Sequence, residues 1–372
     1  MHTLVISDLH LGVRSCSDVL TRPDALNVLL ERLDGVDRLV LLGDTLELRH
    51  GPSRDALAAA EPVMRAIGDA LGSASEIVLV PGNHDHAIAA GWLDWRGSRH
   101  EPEPLGLEER VAPARGSWIA KRLAGWLGPA PVEIAYPGLW LRDDVYASHG
   151  HYLDAHVAIP TLERLAAGVM GRMVAAIPDP ATPDDYEAIL APLYALSQAS
   201  AQRGSPLRST VGSRSAAGSW ETLAGAGPNR KLRSYMLSLP FRAGVMVANR
   251  AGLGPVQADI GVQELRKAAL RAIAEVTQRL RLSPPHLVFG HTHRTGKLAA
   301  DNGLEWCTSG GTQLHNAGSW VFDTLFMGRG SNESNPYWPG GAIALDDDGP
   351  PRLERLLGHL PAKTLGVDPR WG

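Results

Sequence analysis

The chain has 372 residues, with 36 Lys and Arg against 40 Asp and Glu and a formal net charge of −4. A composition of 44% hydrophobic and 20% charged residues excludes wholesale disorder, and the near-neutral balance argues against a dedicated nucleic-acid binder, which carries a basic excess. No stretch approaches the roughly 18 consecutive apolar residues of a spanning helix, and the two cysteines, Cys16 and Cys307, form neither a disulfide framework nor a Cys-x-x-Cys metal site.

Thr3-Leu4-Val5-Ile6-Ser7 reads as a buried strand, with no charged segment before an apolar run and no small-residue cleavage site, so the chain is expected to be unprocessed and cytoplasmic. Leu4–Ile6, Arg38–Leu42 and Glu76–Val80 are short runs rich in Val, Ile and Leu, each stopped by turn residues, and predict buried strands. Between them, Ala25–Leu33 and Ala56–Leu71 carry helical spacing, with Pro62 expected to bend or interrupt the second. This alternation predicts an α/β layered sheet. Ligands of such sheets gather beyond the C-terminal strand ends, where this chain places Ser7-Asp8-Leu9-His10, Gly43-Asp44 and Gly82-Asn83-His84-Asp85.

Residues 92–135 form a Trp-rich insert read as irregular, apart from an amphipathic helix near Trp118–Leu127. Its aromatic and basic residues suit either a packed helix or a lipid interface. Leu139–Ser148 predicts a further strand, running into His149-Gly150-His151. Pro160–Ile177 and Asp184–Gln202 read as helices, Arg203–Lys231 as a Gly/Ser-rich loop, and Gly261–Leu282 as an amphipathic helix. A strand at His286–Phe289 ends in Gly290-His291-Thr292-His293, and β-like pieces follow near Leu304–Thr308, Ser319–Phe322 and Ala342–Leu345. The expected organisation is a core of 1–154 and 260–346, a helical cap insertion at 155–259, and a tail at 347–372.

Asp8-x-His10, His149-x-His151 and His291-x-His293 share one spacing. Residues i and i+2 on an extended segment point the same way, so both side chains can address one site. Imidazole, carboxylate and amide donors without thiolate suit Mn, Fe or Zn. Several strands delivering such groups to one edge supply more ligands than a single ion needs, which predicts a two-metal centre.

The ordered set Asp8-Leu9-His10, Gly43-Asp44, Gly82-Asn83-His84-Asp85, His149 and Gly290-His291-Thr292-His293 resembles the calcineurin-like metallophosphoesterase superfamily. Asn316-Ala317-Gly318-Ser319-Trp320 is similar to a strand that often follows the last motif in bacterial members. The resemblance implies a four-layer αββα sandwich with a helical cap insertion. It implies that Asp8, His10 and His293 hold one divalent metal and that Asn83, His149 and His291 hold the other, with Asp44 bridging. It further implies that His84 contacts the phosphate and protonates the leaving oxygen, with Asp85 orienting it, and that His151 supports a ligand or touches substrate. Mn²⁺ is the expected ion, with Fe or Zn as alternatives. Two such ions activate a bridging water as hydroxide and clamp the attacking and leaving oxygens.

Gly43-Asp44-Thr45-Leu46-Glu47 and the long insert also resemble the branch containing UDP-2,3-diacylglucosamine pyrophosphatases, from which the chain departs by carrying His84 where those enzymes have Arg. The expected substrate is a small-molecule phosphodiester, pyrophosphate or phosphomonoester, nucleotide- or lipid-linked, with peripheral membrane contact allowed and no nucleic acid. A protein Ser/Thr phosphatase, a nuclease and a non-catalytic metal-binding scaffold are the rival readings.

Overall fold

A computed structural model describes residues 1–156, 177–202, 262–323, 326–327 and 333–365. The expected helix over 160–176, its apolar residues and the Gly/Ser-rich loop at 203–231 lie outside the described residues. The chain divides into two compact units, Met1–His151 with Ser283–Gly372, and Tyr152–Leu282.

In the first unit, β1 (Thr3–Ile6), β2 (Arg38–Leu42), β3 (Glu76–Val80) and the first part of β5 (Val132–Arg142) run parallel. β4 (Glu108–Val111) pairs antiparallel with β5. Beyond β1 lie β10 (Gly341–Leu345) and β11 (Arg352–Arg355), both antiparallel to their neighbours. The second part of β5 turns into a hairpin with β6 (Val145–Ser148), so the single strand expected at 139–148 is two. β6 then pairs with β7 (His286–Phe289), β7 with β9 (Gln313–Ala317), and β9 with the short β8 (Thr295–Gly296). The long β5 therefore belongs to two sheets and joins them.

Strand alternation explains how both faces of the first sheet are used. Val5, Val40, Leu42, Val78 and Val80 pack with Leu139, Val145, Ala147 and Val288 of the second sheet, forming an inter-sheet layer. Their neighbours Leu4, Ile6, Leu39, Leu41, Ile77 and Leu79 face the other way. There they meet Leu29 of α1 (Pro23–Arg32), Ala60, Met64 and Ile67 of α2 (Ser53–Leu71), and Leu123 and Leu127 of α5 (Trp118–Leu127). The result is an α/β sandwich. Each fully buried Leu, Ile or Val adds about 1.5–3 kcal/mol of transfer free energy, which makes the register of these strands hard to slip.

Several local expectations change. α2 runs through Pro62 as one helix. The helix expected near Trp118–Leu127 is present as α5, its N-terminus capped by the Ser117 hydroxyl accepting from Ala120 N, whereas the rest of the segment read as irregular after Trp92 holds α3 (Ala87–Gly97), β4 and the single-turn α4 (Pro113–Gly116). Around Leu304 the chain forms a 3₁₀ turn, Gly303–Trp306, and Cys307 is a half-buried bridge partner of Gln313. Residues 347–372, read as a tail, contribute β11, whose alternation is weak because Leu353 is its one apolar residue.

The second unit holds α6 (Pro183–Gln202) and α7 (Val262–Arg279). Tyr152 and Tyr186 stack at 4.7 Å, and with Ile189, Leu190, Tyr194 and Val276 they form its described core. Tyr152 donates to Glu187, and Ala181 N donates to the Arg279 carbonyl. No described helix is long and apolar enough to cross a membrane.

At the start of β7, His286 Nδ1 lies 3.1 Å from His315 Nε2. Burial, with the His286 ring and the Lys297 cation beside it, pushes His315 down to about 4. An unfolded histidine titrates near 6.5, so between about pH 6.5 and 4 the unfolded chain takes up a proton that the folded chain refuses. Stability is therefore expected to fall as pH falls through that window. The full effect is about 3 kcal/mol if the whole shift is realised. Denaturant unfolding of wild type and His315→Asn, both in chelator, at pH 7 and pH 4.5 checks this: the wild type should lose about 2 kcal/mol more than the variant. Equal losses would show that His315 does not carry the shift.

Candidate metal centre

Ser7-Asp8-Leu9-His10 leaves β1, and Gly43-Asp44-Thr45-Leu46-Glu47 leaves β2, as two loops that continue to pair beyond their strands. Asp8 N donates to the Gly43 carbonyl at 3.0 Å, His10 N to Asp44 O at 2.8 Å and Leu11 N to Thr45 O at 3.0 Å. Gly43 has φ +87°, and a Cβ there would overlap the His149 ring. A Cβ at Gly290 would overlap the Ser7 hydroxyl and the Asp8 carboxylate. These positions let the loops approach as closely as they do. His291 N donates to Asp8 Oδ2 at 2.9 Å, and the Asn316 amide donates to the Gly290 carbonyl and the Thr292 hydroxyl, holding the Gly290–His293 turn in place.

Five of the expected ligands adopt left-handed backbone: Asp8 (φ 56°), His10 (46°), Asp44 (50°), His291 (65°) and His293 (56°). That conformation costs a residue with a side chain roughly 1–2 kcal/mol. Such strain, concentrated where side chains converge, is the mark of a functional site.

The side chains converge in two groups. Asp8, His10 and His293 form one, and Asp44, His149 and His291 the other, with the donor atoms of each group within 4.8 Å of one another. Asp44 Oδ2 stands between them, 3.6 Å from His10 Nε2 and 3.3 Å from His149 Nε2. His10 Nε2 and His293 Nε2 are 3.0 Å apart. The Asn83 amide joins the second group, with its inward atom 3.1 Å from Asp44 Oδ2, 3.2 Å from His291 Nδ1 and 3.3 Å from His149 Nε2. Either amide face satisfies this corner: the nitrogen donates when no cation is present, and the oxygen is the atom a cation would take.

Electrostatics follow from packing acids and imidazoles away from water. Burial alone would raise Asp8 and Asp44, but the His149 charge leads a set of imidazoles that holds both below the usual carboxylate range. Burial works against protonation of His149, yet Asp44 and Asp8 raise it to about 9. Asp8 Oδ1 is fully buried without a hydrogen-bond partner. A buried carboxylate oxygen without a hydrogen-bond partner, facing ring nitrogens, is one that a divalent cation would satisfy, so the donor set fits metal binding. Among the described residues, neither cysteine joins these groups.

Glu47 is the residue that sequence reasoning passed over. It is buried, and its Oε2 lies 2.8 Å from His84 Nδ1, 3.1 Å from His10 Nδ1 and 3.1 Å from His50 Nδ1. Its other oxygen accepts from Arg49 N and His50 N. Despite burial, the charge of His84 and the bonds from the other rings hold Glu47 well below the carboxylate range. The sequence hint was its place at the end of the Gly43-Asp44-Thr45-Leu46-Glu47 stretch, three positions after Asp44.

Asp85 has other partners than the expected ring of His84. It accepts from Gly82 N at 2.7 Å, Thr45 N at 2.7 Å, and Leu46 N and Asp44 N at 3.3 Å, and so ties the two loops together. The imidazole of His84 is oriented by Glu47 instead, because the loop after β2 passes directly beneath it. Burial lowers the pKa of His84, with Arg49 adding to the effect while Glu47 and Asp44 oppose it. His151 is buried behind His149, their rings 5.7 Å apart, and stacks on Tyr136. His86 is buried edge-on against Tyr136.

Residues 1–177 match the model of the family described as calcineurin-like phosphoesterase. The match, over just under half of the chain, supports the calcineurin-like phosphoesterase superfamily, whose members hydrolyse phosphoric esters and generally bind two divalent metals, and the described residues hold clustered His and Asp groups that could bind metal. Among solved structures, a point mutant of a cold-active protein tyrosine phosphatase is 16% identical, over 95% of this chain and 80% of that one, with a TM-score of 0.27. The cold-active protein-tyrosine phosphatase of a psychrophilic Shewanella species is 14% identical over the same shares, with a TM-score of 0.26. Likenesses this slight carry nothing about fold or chemistry.

Proposed function

We propose that the protein hydrolyses a small phosphodiester, pyrophosphate or phosphomonoester at a two-metal centre. Asp8, His10 and His293 would hold one ion, Asn83, His149 and His291 the other, and Asp44 would touch both; Mn²⁺ is the favoured ion, with Fe or Zn as alternatives. The observation that carries this reading is the pair of buried donor groups meeting at Asp44, with His84 beside them. When bound, the ions supply Lewis acidity and a nucleophile at neutral pH.

The chain's own residues divide the remaining work. His84 is held by Glu47 through Nδ1, so Nε2 is the atom that meets the phosphoryl or leaving oxygen. Burial lowers the pKa of the free ring, and an arriving phosphate anion favours its protonation, which readies Nε2 to donate as the leaving oxygen departs. Asp85 acts on backbone, fixing the Asp44 loop. His151, behind His149, steadies that ring.

The Gly43–Glu47 stretch favours sampling the UDP-2,3-diacylglucosamine pyrophosphatase-like branch of substrates early.

Purified protein with Mn²⁺ should hydrolyse bis-(p-nitrophenyl) phosphate, and His84→Ala should be about a hundredfold or more slower with its metal still bound. Metal-loaded wild-type protein that turns over neither this diester nor a panel of pyrophosphates and monoesters would overturn the reading in favour of a scaffold.

A further inference from the structure

The helices that follow the metal loop carry a surface the phosphoesterase reading does not use. α3 starts just after Asp85 and reaches Trp95 about 12 Å along its axis. Trp95 is 48% exposed and Trp118, at the start of α5, is 61% exposed, although most large apolar residues of the described chain are buried. The two belong to one patch. Arg115, three residues before Trp118, lies over the Trp95 ring at 4.7 Å, and Arg99 lies over the same ring at 5.5 Å. α3, α4 and α5 pack on one another, and a Cβ at Gly91 would meet the Gly116 carbonyl.

The inner face of α5 (Ile119, Leu123, Leu127) is spent on the core, so Trp118 is not a displaced core residue. Beside it, Lys121 and Arg122 are exposed, with Arg122 over the Trp126 ring at 5.7 Å. Residues 111–132 contain Arg115, Lys121 and Arg122 and no acidic residue, within a chain of net charge −4. Asp94, Glu101, Glu103, Glu108 and Glu109 lie in the adjacent segment, so the salt dependence of binding reports which charge dominates the patch.

We propose that Trp95, Trp118, Arg99, Arg115, Lys121 and Arg122 form a docking surface for an anionic lipid bilayer. Indole rings are most stable at the level of lipid headgroups, where an apolar body and a polar edge are both satisfied. Guanidinium groups lying on those rings are held at the depth of the lipid phosphates. Because two guanidinium groups already lie over the Trp95 ring, base stacking of a single-stranded nucleic acid on that ring is the poorer fit.

The test is co-sedimentation of the full chain with vesicles of phosphatidylglycerol and phosphatidylcholine, and with pure phosphatidylcholine. Wild type should bind the anionic vesicles about tenfold or more tightly than the neutral ones. Raising salt from about 0.1 M to about 1 M, which shortens the screening length from about 10 Å to about 3 Å, should release it. Trp95→Ser with Trp118→Ser should weaken binding about tenfold, with turnover of the soluble diester and circular dichroism unchanged. Lys121→Glu, at an exposed position that leaves the aromatic contacts intact, should weaken it without touching the fold. The proposal is overturned by absence of vesicle binding, by equal affinity for neutral vesicles, by Lys121→Glu binding as wild type does, or by single-stranded DNA displacing the vesicles.

Discussion

An Asp44→Asn protein should fold, fail to retain divalent metal, and lose about a thousandfold or more in kcat/KM, equivalent to roughly 4 kcal/mol of transition-state stabilisation. The size follows from position. Asp44 is buried, and the oxygen between the two donor groups faces His10 and His149. The other oxygen accepts from His84 N at 2.8 Å. Asparagine preserves that backbone contact and the side-chain volume while removing the charge that both metals would share. Alanine would also leave the His84 N–H buried without its acceptor, at a further cost of about 1–3 kcal/mol, and so would confound metal loss with misfolding. Elemental analysis of the dialysed protein, alongside bis-(p-nitrophenyl) phosphate turnover, decides the matter. An Asn variant with full metal content and near-wild-type rate would remove Asp44 from the centre.

Glu47→Gln should lower kcat by about a hundredfold to a thousandfold while leaving KM for a small diester nearly unchanged, in keeping with the loss of an oriented proton donor. The carboxylate is the common acceptor for His10, His50 and His84. A neutral amide cannot accept three such bonds from one oxygen as strongly, and its NH₂ faces Arg49 N or His50 N, which are themselves donors. The second donor group, with Asn83, His149 and His291, does not touch Glu47, so at least one metal should remain bound. His50 is the control: its side chain is 38% exposed, and His50→Ala should change kcat less than about threefold. A pH–rate profile separates orientation from simple structural damage, since the limb assigned to His84 should move in Glu47→Gln and not in His50→Ala. If Glu47→Gln turns over as wild type does, the His84–Glu47 pair has no part in the reaction.

The contrast between Asp44 and Glu47 shows what the amino-acid sequence could convey. Asp8, His10, Asp44, Asn83, His149, His291 and His293 each follow a strand, and their i, i+2 spacing or preceding glycine is a local signature. Glu47 has none. Its partners His10 and His84 lie 37 residues away in either direction, and they meet only because three parallel strands bring their loops to one edge. Asp85 was misjudged for the same reason: adjacency to His84 suggested a ring contact, whereas its oxygens reach across to the backbone of residues 44–46. The parallel strands were legible because buried strands are continuously apolar. β11 was not, since the edge strand Arg352–Arg355 is polar on most positions and is recognisable only by its pairing to β10. Within 92–135, α5 was legible from its helical spacing, whereas α3 and α4 were hidden by the Gly and Pro residues that punctuate them.

The left-handed backbone at Asp8, His10, Asp44, His291 and His293 bears on how this protein would respond to selection for heat resistance alone. Glycine adopts that conformation freely and asparagine with little difficulty. Either would also thin out a crowd of buried imidazoles and carboxylates that repel or strand one another without cations. A library sorted only by survival on heating should therefore drift toward glycine and asparagine at these five positions and discard the chemistry first. The candidate metal centre is the part of the molecule that a purely thermal criterion would erase.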